Sequence, residues 1–340
     1  MVYCLYIQSI RRKIMFTLQK NENKDFLVLN LSDPQLSDGE WDEGHRNYKI
    51  LTGTVKSLIE RVHPDLITIS GDLSWAGNEI AYEKLAAFLD SFRIPWAPVW
   101  GNHDNQDGPD FINKMADNFL KHPYCLYEKG DPAIGNGNYI IKIEENGRPV
   151  EAIVMIDAHD RDPWKDEKGE DTWAWAKLIP AQLDWYREQI TMLKAEGYSD
   201  TTMILHIPIY AYWEAWNAAI KPGVEFEKLT VADSLTGDCW NEGYKDSFGV
   251  RREGICSYPA DEGAFAVIKE LDSTHHIVCG HDHVNNFVIS HKGVKFIYSL
   301  KAGAGCYWDP DLSGGTVLRI TSDGVADVHH EYVDPAPFMQ

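Results

Sequence analysis

Short apolar runs alternate with longer stretches of mixed polarity over the first hundred residues of the chain. The runs FLVLNL from Phe26, LITIS at Leu66–Ser70 and PWAPVW from Pro95 predict buried strands, because Leu, Val, Ile and aromatic residues dominate them. The stretches between these runs, residues 48–62 and 81–92, predict helices. This alternation indicates a parallel sheet covered by helices, with ligands expected beyond the carboxyl ends of its strands.

The pattern becomes mixed in the rest of the chain. The text NYIIKIEENGRPVEAIVMID predicts two antiparallel strands that turn at Asn146 and Gly147, and hence a mixed or second sheet. A helix over Pro180–Glu196 precedes the strand TTMILHIP, and another helix near residues 262–271 precedes strand-rich text. Residues 209–261 are irregular and rich in aromatic and turn-forming residues, which predicts a lid or cap insertion.

The composition is that of a folded protein, since 44% of the 340 residues are hydrophobic and 25% are charged. We predict a peripheral segment over residues 1–24, a single domain over residues 25–334 and a tail over residues 335–340. The 32 Lys and Arg residues against 52 Asp and Glu residues give a net charge of −20, which disfavours long nucleic acids as partners. No apolar run reaches the length of a membrane helix, so we expect no membrane partner.

The N-terminal text and the cysteines predict a cytoplasmic protein. The basic residues Arg11, Arg12 and Lys13 follow the first apolar residues, which is the reverse of a secretory signal, and Met15 is an alternative start. The six cysteines are scattered without a CxxC pair, as expected for free thiols in a reducing compartment.

Five polar positions stand at the ends of predicted strands. They are Asp33 with Gln35, Asp72, Asn102 with His103, His206, and His281 with His283. Carboxylate and amide oxygens and imidazole nitrogens suit transition-metal ions such as Mn, Fe and Zn. On an extended segment His281 and His283 project to the same side, and the two oxygens of Asp72 suit a bridge between two cations. The pattern therefore predicts one metal site assembled from distant parts of the chain.

These positions belong to five motifs in a fixed order. The motifs are Asp33-Pro34-Gln35, Gly71-Asp72, Gly101-Asn102-His103-Asp104, the lone His206, and Gly280-His281-Asp282-His283. With them the chain resembles the calcineurin-like metallophosphoesterases, and the texts GDLSWAG and REGICSYP resemble the purple-acid-phosphatase-like branch of that superfamily. The resemblance implies an α/β fold, a four-layer αββα sandwich of two mixed β-sheets flanked by helices, with a cap-like insertion.

The resemblance also implies a phosphoric ester hydrolase with two divalent or mixed-valence ions of Mn, Fe or Zn. The first ion is expected on Asp33, Gln35, Asp72 and His283, and the second on Asp72, Asn102, His206 and His281. A hydroxide that bridges the two ions is expected to attack the phosphorus of a small phosphate ester. His103 is expected to protonate the leaving group, and Asp104 to orient the ring of His103.

Two positions depart from the pattern of the family. Gln35 stands where the family usually has His, so we expect the first site to bind its ion more weakly or to prefer Mn or Fe over Zn. Trp75 stands where purple enzymes carry a Tyr that ligates ferric iron, and so we expect neither a tyrosinate-bound ferric ion nor a purple protein.

Several alternatives stay open at this point. Monoesters and diesters both fit as substrates, and the competing functions are a phosphodiesterase or nuclease of the same superfamily and a non-catalytic metal-binding scaffold for a protein partner. Gly303 and Gly305 are expected in a tight turn near the metals or in an ordinary loop. One set of aromatic residues is expected to pack the insertions onto the body, with a rim that stacks on a base or sugar as the alternative. The set is Trp164, Trp173, Trp175, Tyr210, Tyr212, Trp213 and Trp216.

Overall fold

The computed structural model describes residues 16–339, and the strands of this range form two large sheets and one hairpin. The seven-stranded sheet has the spatial order β1 (Phe16–Gln19), β5 (Tyr139–Glu145), β6 (Arg148–Met155), β9 (Thr201–Ile204), β10 (Thr274–Cys279), β12 (Val294–Tyr298) and β11 (Val288–His291). The five-stranded sheet has the spatial order β14 (Gly324–Tyr332), β13 (Gly314–Thr321), β2 (Phe26–Leu31), β3 (Leu66–Ser70) and β4 (Trp96–Val99). The hairpin pairs β7 (Arg161–Lys165) with β8 (Asp171–Trp175).

Both large sheets mix parallel and antiparallel pairs. In the five-stranded sheet β2, β3 and β4 run parallel, as the strand–helix alternation predicts, and β13 runs antiparallel to β2. In the seven-stranded sheet β6, β9, β10 and β12 run parallel, whereas β5 pairs antiparallel with β6. The turn between β5 and β6 lies at Asn146 and Gly147, which both have positive φ, as a tight hairpin turn requires.

The helices cover the outer faces of the two sheets. In the described range the α-helices are α1 (Arg46–Val62), α2 (Glu79–Asp90), α3 (Asn102–Asn105), α4 (Gly108–Phe119), α5 (Pro180–Glu196), α6 (Ala211–Ala219), α7 (Val231–Ser234) and α8 (Ala264–Leu271). On one side α1 packs on β13 and α2 packs on α4, while on the other side α8 packs on β10 and on α5, and α6 packs on β11. The four-layer αββα sandwich predicted from the sequence is confirmed.

Strand alternation divides the buried apolar side chains between two cores. On β5, Ile141 and Ile143 belong to the core that also contains Val28 and Ile69 of the five-stranded sheet. Ile140 points the other way, into the core beneath α5, α6 and α8. Because successive side chains of a strand point to opposite faces, one strand contributes to both cores. The seven-stranded sheet is therefore buried on both faces in this region.

The N-terminal boundary differs from the prediction. Phe16–Gln19 forms β1, which runs parallel to β5 at the edge of the seven-stranded sheet, so these residues belong to the sheet and are not peripheral. Its alternate apolar side chains pack against the core, and β5 supplies its backbone partners. Residues 1–15, with the basic cluster, the alternative start and Cys4, lie outside the described residues.

The predicted insertion and tail both contact the body of the protein. Tyr212 and Trp216 of α6, together with Trp240, are fully buried in the core of the seven-stranded sheet, as expected for aromatic residues that pack the insertion onto the body. Closure of residues 209–261 as a lid stays a prediction. At the C-terminus Phe338 packs on Gly53 of α1, where an added Cβ would come within 2.5 Å of the phenyl ring.

Two further expectations concern the cysteines and the membrane. The cysteines of residues 16–339 are all free: Cys125, Cys239, Cys256, Cys279 and Cys306. Over the same residues, no helix combines the length and the apolar character needed to cross a bilayer.

Candidate metal centre

The candidate ligands follow the carboxyl ends of five strands from the two large sheets. Asp33 follows β2, Asp72 follows β3, Asn102 follows β4, His206 follows β9, and His281 with His283 follows β10. Each of these side chains is at least 93% buried. Asp33, Gln35, Asp72 and His281 have positive φ values of 50°, 45°, 48° and 82°, so the chain turns sharply where it leaves the strands. The structure thus brings the predicted ligands together at one end of the sandwich.

One group of ligand atoms gathers around Asp33. Single ligand atoms of Asp33, Asp72 and His283 all lie within 4.8 Å of one another. Nε2 of His283 lies 3.3 Å from Oδ1 of Asp33, while its Nδ1 lies 2.8 Å from the carbonyl oxygen of Tyr307. Nδ1–H of His283 donates a hydrogen bond to this carbonyl oxygen, which leaves Nε2 available to a cation. This is the usual arrangement of a metal-binding histidine.

A second group gathers around His206. Its Nδ1 donates to the carbonyl oxygen of Ser70 at 2.7 Å, and its Nε2 lies 3.0 Å from Oδ1 of Asn102 and 3.3 Å from Oδ2 of Asp72. The rings of His206 and His281 meet edge to face, with centroids 5.1 Å apart. Asp72 therefore contacts both groups, as expected for a bridging carboxylate.

The ionisation states of these groups depend on one another. Burial alone would raise the pKa of Asp33, but the adjacent imidazole of His283 holds it well below its ordinary value. Burial opposes ionisation of His206 as well, yet the charge of Asp72 raises the pKa of His206 to about 9. For His281, burial and then the nearby His206 lower the pKa to about 3, which leaves a neutral imidazole.

Two buried ligand atoms support occupancy by metal ions. In the described part of the chain, Oδ1 of Asp33 and Nε2 of His281 have no hydrogen-bond partner. Buried polar atoms are nearly always paired, so such atoms at the centre of a ligand cluster fit the binding of a cation. A carboxylate oxygen and a neutral imidazole nitrogen are also the donor types that divalent transition metals prefer. The residues present therefore fit divalent metal ions.

Gln35 contacts a residue that the sequence analysis missed. Its Oε1 accepts a hydrogen bond from Nζ of Lys301 at 3.2 Å, and its Nε2 lies 3.4 Å from Oδ2 of Asp72. Lys301 follows β12 and begins the glycine-rich segment KAGAG. Lys301 comes three residues after the end of β12, a strand that borders β10, and this position places it at the same end of the sheet as the ligands.

Close backbone approach explains two glycines around the centre. An added Cβ on Gly101 would lie 2.1 Å from Oδ1 of Asp72, and one on Gly303 would lie 2.1 Å from the carbonyl oxygen of Pro34. Neither glycine has positive φ, so the requirement is space and not backbone conformation. Gly303 therefore lies against the loop that carries Asp33 and Gln35.

Asp104 does not orient His103 as we expected. It is the third residue of α3, so its side chain turns back towards the start of that helix and away from the histidine ring. Its carboxylate oxygens accept hydrogen bonds from the backbone N–H groups of Gly101, Leu73 and Ser74 and from the hydroxyl of Tyr82. Asp104 therefore holds together the two loops that carry Asp72 and Asn102.

His103 lies at the edge of the centre. Its backbone N–H donates to Oδ1 of Asp72 at 2.9 Å, and its Nδ1 pairs with Nε2 of Gln106 at 2.9 Å. The ring of Trp75 packs against the imidazole with centroids 4.1 Å apart. Trp75, the residue in place of a ligating Tyr, thus supports the histidine.

A cavity of about 120 Å³ opens onto these groups. Trp175 meets His281 edge on at 4.4 Å between centroids, and Tyr307 stacks on His283 at 4.3 Å. Cys306 and Tyr307 line the cavity but were missed, whereas Asp282 and Cys256 lie within the texts GHDH and REGICSYP and were assigned no role. The lining residues are Asp72, Asn102, His103, Trp175, Cys256, His281, Asp282, His283, Cys306 and Tyr307.

Comparison with known proteins gives a family match and distant relatives. The family model described as "Calcineurin-like phosphoesterase" matches residues 26–285. "Phosphatase DCR2" of Saccharomyces cerevisiae is 25% identical over 334 residues, which cover 89% of this chain and 52% of the yeast protein. The chain thus spans about half the length of that relative. "Probable inactive purple acid phosphatase 29" of Arabidopsis thaliana is 24% identical, over 89% of this chain and 79% of the plant protein.

The similarity extends to three-dimensional structure. The crystal structure of a dimetal phosphatase from Danio rerio has a TM-score of 0.57 to this chain, with 15% identity over 91% of this chain and 99% of the fish protein. At this identity the likeness shows a shared fold. The family match runs through all seven candidate ligands, from Asp33 to His283. The chain therefore belongs to the calcineurin-like phosphoesterase family.

Proposed function

We propose that the protein is a metal-dependent hydrolase of small phosphate esters. The supporting observation is the gathering of side chains from five strand ends beside one cavity, which Asp72, Asn102, His281 and His283 line, with two buried ligand atoms lacking partners. One ion would be held by Asp33, Gln35, Asp72 and His283, and the other by Asp72, Asn102, His206 and His281. When bound, such ions lower the pKa of water and neutralise the negative charge that develops on the phosphate.

The chain itself supplies the proton for the leaving group. His103 lines the cavity, where its ring is held between Trp75 and the side chain of Gln106. The hydrogen bond from its backbone to Asp72 fixes its position relative to the metal ligands. In this position the imidazolium donates a proton to the departing oxygen, a step worth about 10² to 10⁴ in rate.

The shape and charge of the site favour a small ester. The cavity of about 120 Å³ is bordered by the rings of Trp175 and Tyr307, which suits one phosphate group with a compact substituent. The net charge of −20 disfavours a long polyanion. Monoesters and diesters both remain candidate substrates.

The test compares apoprotein with protein loaded with Mn²⁺, Fe²⁺ or Zn²⁺ on p-nitrophenyl phosphate, bis-p-nitrophenyl phosphate and an alkyl phosphate. We expect hydrolysis only with metal. His103→Ala should lower kcat by about 10² to 10⁴, most strongly for the alkyl ester, because its leaving oxygen needs the proton most. His122→Ala, a histidine paired with Asp90 outside the site, is the control. Absence of metal-dependent turnover on all three esters would refute the proposal.

A non-catalytic scaffold is the competing function. The Arabidopsis relative is named "Probable inactive purple acid phosphatase 29". In this chain, Gln35 stands where the family usually has a histidine. The chain retains His103 at the cavity and the family's residues at every ligand position except Gln35, which favours catalysis. A protein that binds metal but turns over none of the three esters would support the scaffold.

A further inference from the structure

Lys301 is a buried cation beside the first metal position. Its side chain is 97% buried, since the residue is only 3% exposed. Nζ donates to the carbonyl oxygen of Asp33 at 2.9 Å and to Oε1 of Gln35 at 3.2 Å. Both acceptors are neutral; burial lowers the pKa of the Lys301 ammonium, and the carboxylates of Asp33 and Asp72 supply the countercharge that opposes this shift. A buried ammonium without such countercharge is strongly unfavourable.

The backbone fixes Lys301 in this place. The residue forms isolated bridges with Ser32, which precedes Asp33, and with Ser313. The following N–H, of Ala302, donates to the carbonyl oxygen of Ser32 at 2.8 Å. The segment after β12 is therefore attached to the loop that carries Asp33, and the ammonium group is held against that loop.

The lysine also changes what Gln35 offers to a metal ion. The amide oxygen of Gln35 is engaged by the ammonium, and the amide nitrogen faces Oδ2 of Asp72 at 3.4 Å. An amide nitrogen carries hydrogens and presents no lone pair to a cation. In this orientation the first position has three ligands, Asp33, Asp72 and His283, instead of four.

Charge acts in the same direction. The candidate ligands contain two carboxylates, Asp33 and Asp72, and the other ligands are neutral when they bind a cation, so the ammonium of Lys301 offsets half of the formal charge of the ligand set. Coulomb repulsion between the ammonium and a divalent ion is poorly screened in a buried site. The second position, around Asn102, His206 and His281, lacks a contact with this lysine.

We propose that Lys301 is a built-in cation that weakens the first metal position, so that the protein binds one ion tightly and a second ion weakly. This inference rests on the proposed function, because it assumes the same metal centre. Lys301 acts through Gln35 and the carboxylates and is therefore a positioning residue. The full centre then forms only at high metal concentration.

The experiment titrates the full-length apoprotein with Mn²⁺ by calorimetry and by electron paramagnetic resonance. Wild type should bind two ions with dissociation constants at least 100-fold apart, with isolated Mn²⁺ spectra at one equivalent and exchange-coupled spectra only at high excess. Lys301→Met should reduce the ratio of the two dissociation constants to less than tenfold, and Lys301→Arg should restore the wild-type ratio. Lys292→Met removes an exposed lysine and should leave the ratio unchanged.

Three outcomes would overturn the inference. If the wild-type protein binds two Mn²⁺ ions with equal affinity, the inference is wrong. This outcome needs no variant and holds even if Lys301→Met fails to fold. The inference is also wrong if folded Lys301→Met keeps the wild-type ratio of the two dissociation constants. A wild-type protein that binds none of Mn²⁺, Fe²⁺ and Zn²⁺ removes the metal centre and with it the proposed function, whereas two Mn²⁺ ions of equal affinity with full phosphatase activity refute this inference alone.

Discussion

Asp104 shows how a buried carboxylate can serve a metal centre without touching it. Its two oxygens accept hydrogen bonds from three backbone N–H groups of the loops after β3 and β4 and from the hydroxyl of Tyr82 on α2. Burial, and then the charge of Asp72, raise the pKa of Asp104 to about 7. The residue thus joins the loops that present Asp72 and Asn102.

Replacing Asp104 should therefore lower the stability of the folded protein, because Asp104 holds two loops together and does not take part in the reaction. Asp104→Ala leaves three N–H groups and the Tyr82 hydroxyl without their acceptor. We expect the free energy of unfolding to fall by about 3 kcal/mol or more, since each unpaired buried group costs about 1–3 kcal/mol. Urea unfolding measures the change, with the exposed Asp110→Ala as control. Equal stabilities of the two variants would contradict this role.

Glu262 gives the protein a pH-dependent stability. Burial raises the pKa of its carboxyl from 4.5 to about 7, although the backbone N–H of Tyr210 approaches both oxygens at 3.3 Å. Because the folded state resists ionisation, this contribution to stability is full below pH 4.5 and is lost as the pH rises to about 7.

Glu262→Gln should remove the loss of stability that wild type shows as the pH rises. We expect the variant to be more stable than wild type at about pH 8, by at most about 3 kcal/mol, with the advantage shrinking towards about pH 5. Urea unfolding at the two pH values measures the difference, and the exposed Glu188→Gln on α5 is the control. A stability difference that does not vary with pH would count against the assignment.

The sequence predicted the ligands better than their surroundings. Asp33, Asp72 and His206 each follow a strand, so their position along the chain is enough to place them at one end of a sheet. The partner of Gln35 lies 266 residues away in the chain, and no local pattern links the two. Asp104 failed as a predicted orienter because side-chain direction on a helix depends on geometry and not on sequence adjacency.

At the scale of elements, the β7–β8 hairpin brings an aromatic surface to the cavity. Trp175 packs on His281, and its neighbour Trp173 is 47% exposed, with ring centroids 5.1 Å apart. The guanidinium of Arg161 lies over Trp173 at 4.0 Å. The hairpin thus has one tryptophan at the site and one at the surface.

These two tryptophans offer a matched comparison. Trp175→Ala should lower kcat/KM for p-nitrophenyl phosphate up to about tenfold, because an aromatic contact is worth about 0.5–1.5 kcal/mol. Trp173→Ala should change it less than twofold. Steady-state kinetics of the metal-loaded variants measures both values, and an equal effect of the two would show that the hairpin contributes no specific contact.

Element types were predicted well where periodicity was strong, as for α5, whose bounds agree with the prediction. Strand β9 is shorter than predicted, because the chain leaves the sheet after Ile204 to place His206. Strand β1 was missed, since a four-residue edge strand has too few positions to show alternation.

At the scale of the whole molecule, the metal centre spans the two sheets. Asp33, Asp72 and Asn102 follow strands of the five-stranded sheet, whereas His206 and His281 follow strands of the seven-stranded sheet. The order of strands within each sheet was beyond sequence reasoning, because it depends on pairing between distant segments. A bound ion would join both sheets, so metal occupancy and global stability are linked.

Metal removal should therefore destabilise the entire fold. We expect Tm to fall by several degrees on chelation and to recover with Mn²⁺ in excess, since a thousandfold excess over Kd contributes about 4 kcal/mol. His103→Ala should keep this response, and Asp72→Ala, which removes the shared ligand, should lose it. Thermal denaturation with and without chelator measures both. A Tm independent of metal in wild type would show that the ions do not link the sheets.

The left-handed backbone at Asp33, Gln35, Asp72 and His281 has an evolutionary consequence. Such conformations cost non-glycine residues about 1–3 kcal/mol each, and glycine adopts them freely. Random libraries screened for heat resistance in the presence of a chelator, where bound ions contribute no stability, should enrich glycine at these four sites while abolishing turnover. Purifying selection on catalysis would then be what keeps the bulkier side chains there, generation after generation.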